Sequence, residues 1–370
     1  LDQAQEVLNF RDELVMPGIT DTHTFFTGYA IYHVGADFSK VTDNEEGCCI
    51  LRKYEQKRHP EGALLGHGWN PEMWDRQNGE EMLEEKFKNK AVVDEYVHSK
   101  LLEVFYLYLI VGGMPEAVDV YLRTNDLEKV AQVHEKIIRL YKQDFSKYEI
   151  RYKLKLREIY DAMPGQLDQK NKRFQLNSIG KGMSYDRVEN DFLWLKDAGV
   201  VIPVYNVAEP KLPLVISENR NLFKLFFSDV GLLTSRYSNQ VKLAILNQDK
   251  SINNGALFEN VVAQELLLHG HKEYYFNSKK QGELDFVIEL NGKVTPLEIK
   301  SGKDYKRHSA LNNILQNQDY QIDEALIFSE GNVEINGKRV YLPIYMIIFL
   351  EEAKLENTVY KLDLSGLKNI

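Results

Sequence analysis

Cysteine is nearly absent from this chain, with two in 370 residues. They are the neighbours Cys48 and Cys49, a pairing that builds neither a disulfide framework nor a zinc-ligand spacing, so a reducing, cytoplasmic setting is expected. Long apolar runs are also missing. The longest, residues 101–114 and 341–350, fall short of the roughly 20 apolar residues a membrane helix needs, and no membrane partner is expected. Positive charge is in deficit: 46 Lys and Arg stand against 55 Asp and Glu, a net charge of −9. That excludes a nucleic-acid coat over the whole surface but leaves room for a local basic patch. No Gly-x-x-x-x-Gly-Lys-Ser/Thr occurs; Gly180-Lys181 lacks the preceding glycine and is followed by Gly182. Without that phosphate cradle, neither ATP binding nor ATPase activity is expected. No repeat of solenoid period runs along the chain. What remains is ordinary globular composition, 44% hydrophobic and 27% charged, which rules out disorder or coiled coil as the whole answer.

The length calls for more than one domain, and the texture changes along the chain. Residues 1–91 are rich in glycine and polar turns, and the charged run 78–90 reads as a solvated helix and a linker. Residues 92–168 carry apolar side chains at helical spacing (Val97, Leu101, Leu102, Phe105, Leu109), which predicts a small helical bundle. Gly112-Gly113 stops its first helix, Pro115 opens the next, and Asp126 caps a third. Residues 169–245 read as a winged helix: a helix over 185–198 capped by Ser184, then strands at 200–207 and 222–227. Residues 246–370 open with a strong helix to Leu268, followed by strands at 273–276, 283–290, 294–300 and 324–328. The fold class expected is therefore multidomain α/β.

The chemistry concentrates in that last stretch. Asn291-Gly292 between two alternating runs is a strong hairpin signal, because both central turn residues need positive φ. A two-residue loop there sets Asp285 opposite Glu298 and Glu283 opposite Lys300, with Leu284, Phe286 and Ile288 on the other face. Pro296, which lacks an amide hydrogen, predicts that this strand lies at an edge or carries a bulge. Asp285 and Glu298 are thus the candidate metal ligands for Mg²⁺. Lys300 is the candidate group for orienting or deprotonating water, and Glu259, on the preceding helix, is the candidate assisting carboxylate. Two carboxylates and an ammonium group on one face suit phosphodiester hydrolysis. Lys303, Lys306 and Arg307, with His308, are candidate contacts to the phosphates of DNA, and Lys170, Lys172 and Arg173 form a second basic set.

Glu259, Asp285 and Glu298-Ile299-Lys300 resemble the PD-(D/E)xK nuclease-like signature. The chain from about residue 92 resembles the C-terminal half of prokaryotic AAA-type ATPases that end in a domain of unknown function. The motifs are Tyr108-Leu109-Ile110-Val111-Gly112-Gly113-Met114-Pro115-Glu116, Phe227-Ser228-Asp229-Val230-Gly231-Leu232-Leu233, and Phe258-Glu259-Asn260 leading to Glu298-Ile299-Lys300-Ser301-Gly302. The resemblance implies a helical lid, a winged helix and a restriction-endonuclease-like α/β domain. It leaves two readings open: a Mg²⁺-dependent nuclease, or a module that binds DNA or a protein partner without cutting. Residues 14–24 and 66–71 resemble the start of metal-dependent amidohydrolases. There the expected His-x-His is His23-Thr24-Phe25, and a phenylalanine cannot ligate, so a truncated, inactive fragment is expected. The change of texture at residues 91–93 reads as a gene fusion or an assembly error.

Overall fold

The computed structural model describes residues 35–39, 41, 49–54, 56, 66–67, 79–145, 150–169, 171–180, 185, 188–302 and 306–353. His23, Phe25, Lys170, Lys181, Ser184 and Lys303 lie outside them. Of the first stretch, two short strands are described, β1 (Ala36–Asp37) and β2 (Gly66–His67), paired in parallel.

The helices begin and end where local chemistry dictates. Helix α1 (Gly79–Lys88) is followed by α2 (Glu95–Val111), whose first turn is capped by the Asp94 side chain accepting from the Tyr96 and Val97 amides. Gly112, at φ 69°, turns the chain out of α2, and Pro115 opens α3 (Pro115–Thr124) at its first turn. Asp126 caps α4 (Leu127–Asp144), and α5 (Ile150–Leu167) and α6 (Glu189–Asp197) follow.

The charged run at 78–90 is not a free linker. Leu83 is buried, the Phe87 ring lies tilted against Phe349 with centroids 6.0 Å apart, and Asn332 clasps Val93 on both sides, donating to its carbonyl and accepting from its amide. Leu83 and Phe87 stand four residues apart, which gives this otherwise charged helix one apolar face to bury.

Strands β3 (Val201–Val207) and β4 (Glu218–Phe227) form an antiparallel ribbon, as the sequence predicts, but the ribbon does not stand apart as a wing. β3 pairs in parallel with β5 (Tyr274–Ser278), so both strands join a single eight-stranded mixed sheet. Between β4 and β5 in sequence lie α7 (Val230–Thr234), α8 (Asn239–Leu246) and α9 (Gly255–Leu268). The sheet continues through β6 (Gly282–Leu290), β7 (Lys293–Lys300), β8 (Ala325–Ser329), β9 (Glu334–Asn336) and β10 (Arg339–Pro343), in the order β4-β3-β5-β6-β7-β8-β10-β9. Helix α9 covers one face, packing Leu257, Phe258, Val261 and Val262 with Phe286, Ile288, Leu297 and Ile299. Helix α10 (Ser309–Gln316) covers the other, packing Leu311 and Ile314 with Leu284, Val287 and Ile327. The architecture is a mixed α/β sheet between helical layers.

Three of the sequence motifs, around Gly112, Asp229 and Asn260, meet at one buried seam. The Asp229 carboxylate accepts from the Gly113 amide at 2.7 Å and the Leu232 amide at 3.1 Å, joining the α2 end to α7. Asn260 on α9 accepts from the Phe227 amide at 2.8 Å and donates to its carbonyl at 3.0 Å, tying α9 to β4.

Candidate functional site

Asn291 and Gly292 both take positive φ, 50° and 71°, and β6 pairs with β7 in the register that a two-residue turn dictates, from Leu290–Lys293 to Phe286–Leu297. Pro296 does not put β7 at the sheet's edge: β8 lies on its far side. The β7–β8 pairing begins only at Leu297, so the missing amide hydrogen falls where β7 has no such neighbour.

Beyond Phe286–Leu297 the simple arithmetic stops. Pairing with β5 steps from Tyr274–Val287 to Phe276–Leu284, which leaves one extra residue on β6. This bulge has two consequences. Leu284 packs with Val287 against α10, not with Phe286 and Ile288 against α9. Asp285 leaves the ladder without becoming a partner of Glu298; its carboxylate reaches across and accepts from the Ile299 amide at 2.8 Å. Glu283 pairs with Asn277 of β5 instead of Lys300.

The four candidate groups nonetheless form one electrostatic cluster. Burial pushes the Glu298 carboxyl up to about 8, with Asp285 and Glu259 adding to the shift and Lys300 offsetting part of it. Lys300 donates to Glu298 Oε1 at 2.5 Å. Burial is opposed at Lys300 by Glu298 and Asp285, which hold its ammonium above the usual lysine range. Glu259 is raised by burial and by Asp285, against the pull of Lys172 and Lys224. One oxygen each of Glu259 and Glu298 is buried with no hydrogen-bond partner.

Two lysines that sequence reasoning did not place here complete the cluster. Lys172 is ion-paired with Glu259; it is delivered by a short segment that bonds to β4 through Arg173 and Phe174. Lys224, on β4 and fully buried, lies 2.9 Å from Glu283 Oε1 and 3.6 Å from Glu259 Oε2. A lone lysine inside Phe223-Lys224-Leu225-Phe226-Phe227 was the available signal, since an unpaired ammonium is not buried among aromatics. Beside Lys300 sits His308, expected from the sequence as a contact to phosphate. It is buried, neither ring nitrogen has a partner, and burial together with Lys300 and Arg339 pushes it down to about 4. Lys306 and Arg307 are exposed just ahead of α10, and Lys306 pairs with Glu334 of β9 at 2.7 Å. Among the described residues no three carboxylate, histidine or cysteine side chains already stand close enough together to hold an ion.

Two known domain families match the chain. Residues 102–242 are similar to a domain of unknown function, DUF8612, and residues 254–347 to another, DUF4143. The second is a domain often found at the C-terminus of AAA-ATPase-like proteins. No curated protein and no solved structure matches the chain. No single helix among the described residues is long and apolar enough to cross a membrane. The candidate site draws on both matched segments: Lys172 and Lys224 come from the first, and Glu259, Glu283, Asp285, Glu298 and Lys300 from the second.

Proposed function

We propose that this chain is the C-terminal part of an AAA-type ATPase-family protein whose nuclease-like site hydrolyses DNA phosphodiesters with Mg²⁺. The observation that carries the reading is the buried Glu298 Oε2, which has no hydrogen-bond partner, set in one cluster with Asp285, Lys300 and Glu259. Buried carboxylate oxygens without donors are costly, and a hard divalent cation is the partner that oxygen ligands suit. Asp285 and Glu298 would hold the ion, and the chemistry it supplies is neutralisation of charge on the phosphate. Lys300, already hydrogen-bonded to Glu298, positions the attacking water. Glu259 holds the surrounding lysines in place, and Lys306 and Arg307 meet the backbone phosphates, with Lys303 beside them in the sequence. The test is nicking of supercoiled plasmid in Mg²⁺ or Mn²⁺ by the parent, Asp285→Asn and Lys300→Ala. Nicking by the parent alone supports the reading; cleavage unchanged by both substitutions rejects it.

A second reading is favoured by a specific observation: Lys172 and Lys224 already neutralise Glu259. On that reading the site is an internally balanced scaffold that binds DNA or a protein without cutting. Metal-independent retention of DNA with no nicking would mark it.

A further inference from the structure

The Lys224 ammonium has the surroundings of a bound metal ion. Its neighbours are Glu283 Oε1 at 2.9 Å, the Asp285 backbone carbonyl at 3.5 Å and Glu259 Oε2 at 3.6 Å, with the Tyr275 ring centroid 5.2 Å away. Two carboxylates and a carbonyl are the oxygen set a hard cation takes, and they come from two separate elements, α9 and β6. The Lys224 and Glu259 side chains are buried, and Glu283 is partly so. Asp285 faces both ways: its carbonyl points to Lys224 and its carboxylate to the Ile299 amide, next to Glu298.

We propose that Lys224 is the resident cation of this site, filling the position between Glu259, Glu283 and the Asp285 carbonyl where a second divalent ion would otherwise bind. The cluster therefore takes one divalent ion, on the side of Asp285 and Glu298. This rests on the metal reading given above, and it makes that reading more specific: the site works with one ion because β4 brings its own permanent positive charge. A two-ion clamp on the attacking and leaving oxygens is thereby excluded.

The experiment is a titration of the full chain with Mn²⁺, following free Mn²⁺ by electron paramagnetic resonance. The parent should saturate at one ion per chain and Lys224→Met at two. Glu298→Gln should lose the parent's ion, while Lys224→Met/Glu298→Gln should keep one. Two ions in the parent, or one ion in both the parent and Lys224→Met, would overturn the proposal. No ion in the parent but one in Lys224→Met would remove the Asp285–Glu298 metal reading and leave Lys224's position as a cation site standing. No ion in either overturns both. Should Lys224→Met fail to fold alone, circular dichroism on adding Mn²⁺ decides: recovery of the helical signal supports a vacated cation position, and continued unfolding at millimolar Mn²⁺ overturns it.

Discussion

Two buried carboxylate centres lie within this fold, and they are built on opposite principles. Around Asp229 the carboxylate takes backbone amides from Gly113 and Leu232, and two glycines make space for it. A side chain at Gly112 would place its Cβ 2.3 Å from Asp229 Oδ1, and one at Gly231 would meet the Val111 carbonyl at 2.8 Å. Burial lifts Asp229 to about 6, and the amides pull it back down. The second centre gathers four carboxylates and three lysines, yet leaves Glu298 Oε2 buried without a donor. A cluster that satisfies itself through the backbone serves architecture. One that relies on movable ammonium groups and leaves acceptors open holds free energy in reserve for a ligand.

The comparison breaks most visibly at Gly112. Its φ of 69° disfavours any β-branched side chain, and its Cβ has no space beside Asp229. Gly112→Val should lose about 4 kcal/mol or more, enough to abolish the cooperative thermal transition. Asp229→Ala, which strands the Gly113 and Leu232 amides, should lose about 3 kcal/mol. Asp285→Asn, by contrast, keeps an oxygen for the Ile299 amide and should stay within about 1.5 kcal/mol of the parent. Equal losses at Asp229 and Asp285 in urea unfolding would erase the distinction between the two centres.

The next effect is pH dependence. Glu298 rises from an ordinary 4.5 to about 8 in the folded chain, through burial first and Asp285 second. A group raised in this way stabilises the fold fully below its unfolded value, and that contribution is lost as pH climbs through the folded value. The thermal midpoint should therefore fall between pH 5 and 8, by a stability on the order of a few kcal/mol. Asp229 at about 6 and Glu265 at about 7, both raised by burial, add slope of the same sign. Glu298→Gln should flatten the upper part of that window while Asp229's part remains. An unchanged slope in Glu298→Gln would show that Glu298 does not carry the buried proton.

Much of the fold was legible because it is decided locally. Asp126, Pro115 and Gly112 each act within one turn of helix, and Asn291-Gly292 fixes the hairpin by its own backbone angles. The site was legible only in part. Glu259, Asp285, Glu298 and Lys300 do gather, but hairpin arithmetic assumes that β6 answers to β7 alone. The bulge that turns Asp285 toward the Ile299 amide arises from pairing with β5 on the other side. Lys172 and Lys224 enter because β3 lies parallel to β5, a contact between segments some seventy residues apart that no local spacing encodes. The predicted wing failed for the same reason: the ribbon's pattern was read correctly, and its long-range partner was invisible.

The smallest expected effect sharpens the contrast from outside both centres. Lys306 and Glu334 pair at 2.7 Å on an exposed surface, with about half of each side chain open to water. Such pairs contribute little, since solvent screens them and two long side chains must be held still. Lys306→Ala should therefore change stability by less than about 0.5 kcal/mol, and the pH profile should match the parent's. If Lys306 meets phosphate as proposed, DNA retention should weaken equally for all sequences, and the slope of log affinity against log salt should drop by about one. Glu334→Ala removes a negative charge from beside the same ammonium and should strengthen retention slightly. Loss of retention in Lys306→Ala with gain in Glu334→Ala would place the backbone contact on this surface, whereas no change in either would confine DNA to other faces of the sheet.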